Sequence, residues 1–135
     1  VIVPQAVTVS GHLDSGSVEV IGAKSANVAA ESGDVTVRDV DGEVNASTQS
    51  GNVDLSDIGG AVVAGAQSGD VTVAMAAAEN VTASTSSGNV DVRVPNASYQ
   101  VDIQADDQTN EVGDDGTGPA IELRTDSGNV TLRPV

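Results

Sequence analysis

Carboxylates are the side chains with the greatest potential for chemistry in this sequence. The densest acidic group consists of Asp102, Asp106, Asp107, Asp114 and Asp115, and carboxylate oxygens are the ligands that calcium prefers. The group has neither the spacing of an EF-hand loop nor that of a calcium-binding nonapeptide. A solvated acidic loop is therefore the favoured interpretation, with calcium binding as the alternative.

The sequence contains few side chains that could form a catalytic site. His12 is the only histidine, there is no cysteine, and no nucleophile, base and orienting group can be assembled around His12. Arg124 stands between Glu122 and Asp126, which predicts a surface ion pair. The remaining arginines are scattered along the chain, at Arg38, Arg93 and Arg133. The sequence thus predicts no enzyme, no catalytic or cofactor-binding residue, no metal ligand and no cofactor.

Asparagine sequons carry the other candidate chemistry. Asn-x-Ser/Thr occurs at Asn45, Asn80, Asn96 and Asn129, and the last belongs to the repeat described below. Asn45, Asn80 and Asn96 are therefore the candidate N-glycosylation sites. Their number favours an extracellular protein.

A short repeat must position all of these residues. SGDVTV at Ser32–Val37 has close copies that begin at Ser15, Ser50, Ser68, Ser87 and Ser127, so successive starts lie 17, 18, 18, 19 and 40 residues apart. A near-constant period of this length is the signature of a solenoid, in which each turn covers the next. The double-length gap predicts a degenerate copy near residue 107 and a loop at about residues 113–119.

The alternation within each copy predicts two strands and a corner per turn. Val35 and Val37 point inward from the first strand, and Val40 and Ile58 are inward corner residues. The second strand contributes small or aliphatic residues six, four and two positions before each Ser-Gly. The fold class predicted is an all-β, single-domain parallel β-solenoid of about seven turns, roughly 18 residues each, over residues 1–135.

The outward positions of the first strand show a pattern of charge. The first column reads Ser17, Asp34, Asn52, Asp70, Asn89 and Asn129, and the second reads Glu19, Thr36, Asp54, Thr72, Asp91 and Thr131. Because the carboxylate changes column from turn to turn, like charges within a column lie roughly 10 Å apart. We interpret this as relief of repulsion; a repeating cation-binding face is the alternative.

The overall charge restricts the partners. Twenty acidic and five basic residues give a formal charge of −15, which repels nucleic acid and anionic lipid. This composition resembles that of proteins from salt-loving archaea, where salt screens like charges; the alternative is that the charge keeps an elongated molecule soluble. No run approaches the roughly 20 apolar residues of a membrane span. Because the sequence starts at Val1 without methionine, we expect that an upstream signal or anchor has been removed. Association with a membrane is expected only through such an anchor.

The two ends of the solenoid are the candidate interaction surfaces. No amphipathic helix covers either end, and open terminal turns favour stacking between copies. The predicted polymerisation residues are Val1, Ile2, Val3, Val7 and Val9 at one end and Val130, Leu132 and Val135 at the other. The principal predicted partner is therefore the chain itself, as a homopolymer.

Two family resemblances agree with this interpretation. SGDVTV, SGNVDL and VPNASYQVDIQA resemble the SGDV-repeat adhesin family of bacteria and archaea. A short, uncapped β-solenoid with this period also resembles bactofilins, and its acidity resembles their archaeal relatives, the halofilins. That resemblance implies a right-handed solenoid that polymerises without nucleotide into nonpolar filaments, acts in cell shape and, in the halofilin B type, lies on the outer face of the membrane.

The function predicted is that of a non-enzymatic structural protein, a filament-forming cytoskeletal or cell-surface scaffold. Other surface or filament proteins are further candidate partners. The expected location is the extracellular face of the cell membrane, with a cytoplasmic, membrane-associated location as the alternative. The alternative function is a monomeric cell-surface adhesin that binds a partner or glycan.

Overall fold

The protein consists of two facing β-sheets. The structure, a computed structural model, describes residues 8–77, 79–95, 99–112, 116 and 118–134. Its strands are β1 (Thr8–Ser15), β2 (Val18–Ile21), β3 (Ser25–Ser32), β4 (Val35–Val40), β5 (Val44–Ser50), β6 (Val53–Ile58), β7 (Val62–Ser68), β8 (Val71–Met75), β9 (Val81–Ser87), β10 (Val90–Val94), β11 (Gln100–Gln104), β12 (Asp107–Asn110), β13 (Ala120–Ser127) and β14 (Asn129–Pro134). None of the described residues forms a helix of the length and apolarity needed to cross a bilayer.

Odd-numbered strands form one sheet and even-numbered strands the other, called here the odd sheet and the even sheet. All pairings are parallel, and each strand lies beside its equivalent from another repeat: Val35 pairs with Val53, and Val53 with Val71. Each odd strand and the even strand after it make one rung, so the described residues form a stack of seven rungs. The all-β parallel solenoid with roughly 18 residues per turn is confirmed.

The core is a set of ladders between the sheets. Val35 and Val37, predicted to point inward, are fully buried, as are the corner residues Val40 and Ile58. The predicted second-strand ladders are also buried in the inner rungs, for example at Val44, Val62, Val81 and Ile121. Stacked β-branched and small side chains thus replace the large aromatic residues of a globular core.

A column of glycines runs along one corner of the stack. The repeat glycines adopt positive φ angles, from 109° at Gly16 to 145° at Gly128, a region that L side chains rarely enter. After Gly16, each repeat glycine also lies directly over the glycine of the rung before it: a Cβ on Gly51 would overlap the carbonyl oxygen of Gly33. The Ser-Gly corner is therefore required both by backbone conformation and by the close approach of successive rungs.

Three buried threonines support the same corner. Thr48, Thr85 and Thr125 occupy the inward position that is alanine in two other rungs, Ala30 and Ala66. The Thr48 hydroxyl donates to the carbonyl oxygen of Gly33 at 3.3 Å, and the other two repeat this bond to Gly69 and Gly88. The hydroxyls are thereby satisfied within the stack, as buried polar groups need to be.

The order of rungs departs from the order of the sequence. β13 pairs with β9 and β11, while β14 pairs with β10 and β12. The last full copy of the repeat is therefore inserted as the sixth rung. The degenerate copy, β11 and β12, forms the outermost rung instead of lying between its sequence neighbours.

Polar residues at inward positions of the degenerate copy explain why it exchanges places with the last full copy. In β12, Gln108 and Asn110 align with Val130 and Leu132 of β14. Inside the stack these two polar side chains would be buried without partners, at a cost of about 1–3 kcal/mol each. In the outermost rung both are exposed. The strand of the degenerate copy predicted near residue 107 spans Asp107–Asn110, and the predicted loop at 113–119 lies largely outside the described residues.

Tyr99, the only aromatic residue, closes the core beside the outermost rung. Its side chain is fully buried, and its hydroxyl donates to the carbonyl oxygen of Pro95 at 2.7 Å. Burial raises the pKa of this hydroxyl above its ordinary value, because the phenolate would lose its hydration. The neutral phenol is thus part of the folded state.

This raised pKa predicts a loss of stability in alkali. An unfolded tyrosine ionises near pH 10, so the free energy of unfolding is unaffected by Tyr99 below that pH and falls as the pH rises further, since the unfolded state releases its proton first. Tyr99→Phe should lose about 1 kcal/mol at neutral pH through the missing hydrogen bond but show a shallower alkaline decline. Urea denaturation of both proteins between neutral and alkaline pH measures the difference, and parallel curves would contradict it.

Candidate assembly site

Among the described residues, the rung of β1 and β2 forms the first end of the stack. Val9, Leu13 and Val18 occupy ladder positions there but are only half-buried. Their register partners in the second rung, Ala26, Ala30 and Val35, are buried. Of the residues predicted for this end, Val9 lies on β1, and Val1, Ile2, Val3 and Val7 lie outside the described residues.

The second end is the rung of β11 and β12. Val101 and Ile103 are half-buried, whereas their register partners Ile121 and Leu123 are buried. All of β12, Asp107–Asn110, is exposed and polar. This end therefore offers an apolar ladder on the odd sheet and a polar edge on the even sheet.

The residues predicted for the second end need correction. Val130 and Leu132 are buried between β10 and β12 in the sixth rung, because the degenerate copy covers them. They do not form an end, and Val101 and Ile103 take their place. Val135 lies outside the described residues. The sequence signal for the exchange was the pair of polar residues at inward positions of the degenerate copy.

Asparagine and aspartate form a hydrogen-bonded column next to the glycines. The side-chain oxygen of Asp34 accepts from the backbone NH of Asn52 at 3.1 Å, and that of Asn52 accepts from the NH of Asp70 at 3.1 Å. The bond recurs from Asp70 to Asn89 and from Asn89 to Asn129. The sequence indicated the alternation of charge in this column but not its second role, which is to join consecutive rungs.

Arginines are less scattered in space than in sequence. Arg124 forms the predicted surface ion pair, with its guanidinium 2.7 Å from the Glu122 carboxylate. Arg93 and Arg133 are register partners on the outer face of the even sheet. Arg38 occupies the equivalent position of β4, and none of these three has an ion pair within the part of the chain that the structure describes.

A shallow groove of about 520 Å³ runs across several rungs on the outer face of the odd sheet. Small residues form its floor: Ala29, Ser47, Gly65 and Ser84. Gln49 and Gln67 stand along one side, with His12 and Arg124 also in its lining. Its lining offers side-chain amides, hydroxyls and charged groups to solvent.

His12 lies on the outer face of the first rung beside two carboxylates. A ring nitrogen of His12 and carboxylate oxygens of Asp14 and Glu31 all lie within 4.8 Å of one another. Sequence reasoning missed this group because it considered the histidine alone. The offset of 17 residues between adjacent rungs, which places Glu31 beside Asp14, was the signal that could have found it.

The predicted acidic loop shows no comparable convergence among the residues described. Asp102, Asp106 and Asp107 are exposed, and they do not form a metal-ligand group within the described ranges. Asp114 and Asp115 lie outside those residues. Asp102 is the register partner of Glu122, whose charge is offset by Arg124.

The candidate glycosylation sites differ in accessibility. The Asn80 side chain is exposed, but its oxygen accepts a hydrogen bond from the Ala120 backbone NH at 2.8 Å. Asn45 is half-buried on β5, where its amide donates to Glu43 at 3.4 Å. Asn96 lies outside the described residues.

A family model described as Toastrack DUF4097 matches residues 5–133, nearly the whole chain. No curated protein and no solved structure matches the chain.

Proposed function

The chain belongs to the Toastrack DUF4097 family, and from that premise we propose that it is a non-enzymatic scaffold protein whose solenoids associate end to end into filaments. The parallel β-solenoid is compatible with a structural role. The proposal includes the finer likeness to filaments of the bactofilin and halofilin type. Its location would be the outer face of the cell membrane, where it would act in cell shape.

The half-buried ladders at both ends carry this proposal. Residues such as Leu13 and Ile103 are equivalent to inner-rung residues that are buried, so a second copy that continued the ladder would remove them from water. Burying one aliphatic side chain contributes about 1.5–3 kcal/mol when it is complete, and the exposed edge strands offer unpaired backbone groups as well. Contact through both ends extends without limit into a filament.

Charge opposes this association and makes it dependent on salt. Two copies with a formal charge of −15 each repel one another at low ionic strength. At molar salt the screening length falls to about 3 Å, so the repulsion between copies is largely removed. Assembly should therefore increase with ionic strength.

End variants test the proposal. Leu13→Lys and Ile103→Lys each place a charge in one terminal ladder, and each should abolish filaments, since growth needs both ends. Val63→Lys is the matched control, because Val63 is 45 % exposed on the outer face of an inner rung; it should assemble like the wild type. Sedimentation velocity and negative-stain electron microscopy across a salt series provide the measurement, with circular dichroism to verify folding.

Two outcomes would contradict end-to-end polymerisation. The first is a wild-type protein that remains monomeric at high concentration and in molar salt. The second is a Leu13→Lys or Ile103→Lys variant that folds and still forms filaments as the wild type does. Particles that stop at two copies would show that a single end engages and would exclude a filament.

The groove of the odd sheet favours a second candidate function, a monomeric surface domain that binds a glycan. An extended sugar chain could lie along the small residues of the floor and bond to the amides of Gln49 and Gln67. A monomer in molar salt that binds to a glycan array, and loses that binding on Gln49→Ala with Gln67→Ala, would favour this function over the filament.

A further inference from the structure

We propose that His12, Asp14 and Glu31 form a binding site for a divalent transition-metal ion, for which zinc is the probe of choice. One ligand atom from each side chain lies within 4.8 Å of the other two. This site lies on the outer face of the first rung and is separate from the ladder residues proposed for assembly.

Strand geometry holds the three side chains in place. His12 and Asp14 are two residues apart on β1, so both point away from the core. Glu31 on β3 lies beside Asp14, because the flanking pairs Leu13 with Ala30 and Ser15 with Ser32 are in register. All three therefore project from one rigid, hydrogen-bonded pair of parallel strands.

The separations need only a small adjustment. His12 Nδ1 lies 3.9 Å from Asp14 Oδ1. Around a tetrahedral zinc, with Zn–N and Zn–O bonds of about 2.0–2.2 Å, neighbouring ligand atoms lie roughly 3.4 Å apart. Exposed side chains reach this by small rotations about their χ angles, so the backbone does not need to move.

The ligand types select the class of metal. One imidazole nitrogen with two carboxylate oxygens suits zinc and its first-row neighbours, whereas calcium and magnesium prefer six or more oxygen ligands. Three protein ligands leave at least one position of a tetrahedral zinc to water or another donor. The site thus resembles an open zinc site more closely than a closed structural one.

Charge gives a second reason for a cation at this place. Asp14 and Glu31 are adjacent across the strand pair, an arrangement in which like charges repel. In the neighbouring rungs the same outward position carries the neutral Gln49 and Gln67. Within the described ranges no lysine or arginine forms an ion pair with either carboxylate. A divalent ion would remove the repulsion.

Calorimetric titration of the whole chain with zinc chloride tests the site. We expect saturable binding of one ion per chain and no comparable heat with calcium chloride. His12→Ala should weaken zinc binding at least 10- to 100-fold, the loss that follows removal of even an outer-shell partner of a metal site. Asp126→Asn is the matched control, a carboxylate on the same face at the other end of the groove, and it should bind zinc as the wild type does.

A spectroscopic measurement identifies the ligand directly. Because His12 is the only histidine, its two ring-proton resonances can be followed without overlap, and zinc should shift both at one equivalent. Titrations without saturable heat, or zinc binding that His12→Ala leaves unchanged, would overturn the proposal. Calcium binding as tight as zinc binding would overturn the assignment to a transition metal.

Discussion

Replacing Gly51 with alanine is expected to lower the free energy of unfolding by more than about 3 kcal/mol. Gly51 has a φ of 138°, and a side chain in this glycine-only region costs about 1–3 kcal/mol by itself. The new Cβ would also overlap the carbonyl oxygen of Gly33 in the rung below. Only separation of the rungs could relieve that overlap, and separation would weaken the bonds between them, such as Gly33 N to Ser50 O at 2.9 Å.

Alanine variants of two other glycines distinguish the cost of the backbone conformation from the cost of the overlap between rungs. Gly16 has a φ of 109° but nothing within 4 Å of its Cβ position, so Gly16→Ala should show the backbone cost alone, about 1–3 kcal/mol. Gly11 has neither the unusual φ nor a close neighbour, and Gly11→Ala should change stability by no more than about 0.5 kcal/mol. Urea denaturation ranks the three variants, and a Gly51→Ala protein as stable as Gly16→Ala would show that the rungs are not in tight contact.

Leu132→Ala is expected to destabilise the protein by about 2–5 kcal/mol, the range for a large core residue that leaves a cavity. Leu132 is fully buried between Val92 on one side and the outermost rung on the other. If the last full copy of the repeat were the terminal rung, one side of Leu132 would face solvent, and the loss would be correspondingly smaller.

Ile103→Ala provides the comparison that decides the order of the rungs. Ile103 is half-buried in the outermost rung, so its truncation should cost about 1–2 kcal/mol. Thermal or urea unfolding of the two alanine variants gives both values. A larger loss for Ile103→Ala than for Leu132→Ala would reverse the rung order described above.

Much of the fold could be predicted because each rung repeats the same local rule. Alternation placed Val35 and Val37 inward, and the period fixed which residues share a ladder, so the cross-section of the solenoid followed from the sequence. The stacking of Gly51 on Gly33 is a consequence of the same period.

The position of the degenerate copy could not be obtained from the period. Copies that share an inward pattern can pair in more than one order, and sequence order is only the simplest of them. The order of pairing depends on the free-energy cost of burying Gln108 and Asn110, and this cost is a property of the whole stack. The group around His12 was not predicted for a related reason. Glu31 lies beside His12 and Asp14 only because strands of neighbouring rungs pair.

The inserted sixth rung has a consequence for synthesis on the ribosome. When translation has reached residue 119, the strands of the outermost rung already exist, but β13 and β14, to which they attach, do not. The nascent stack then ends at β9 and β10, and β11 and β12 cannot join it until the strands with which they pair have been synthesised. A simple solenoid can fold progressively as it emerges, whereas this one completes its far end in a single late event. The surface offered to another copy at that end therefore exists only in molecules that have already folded throughout.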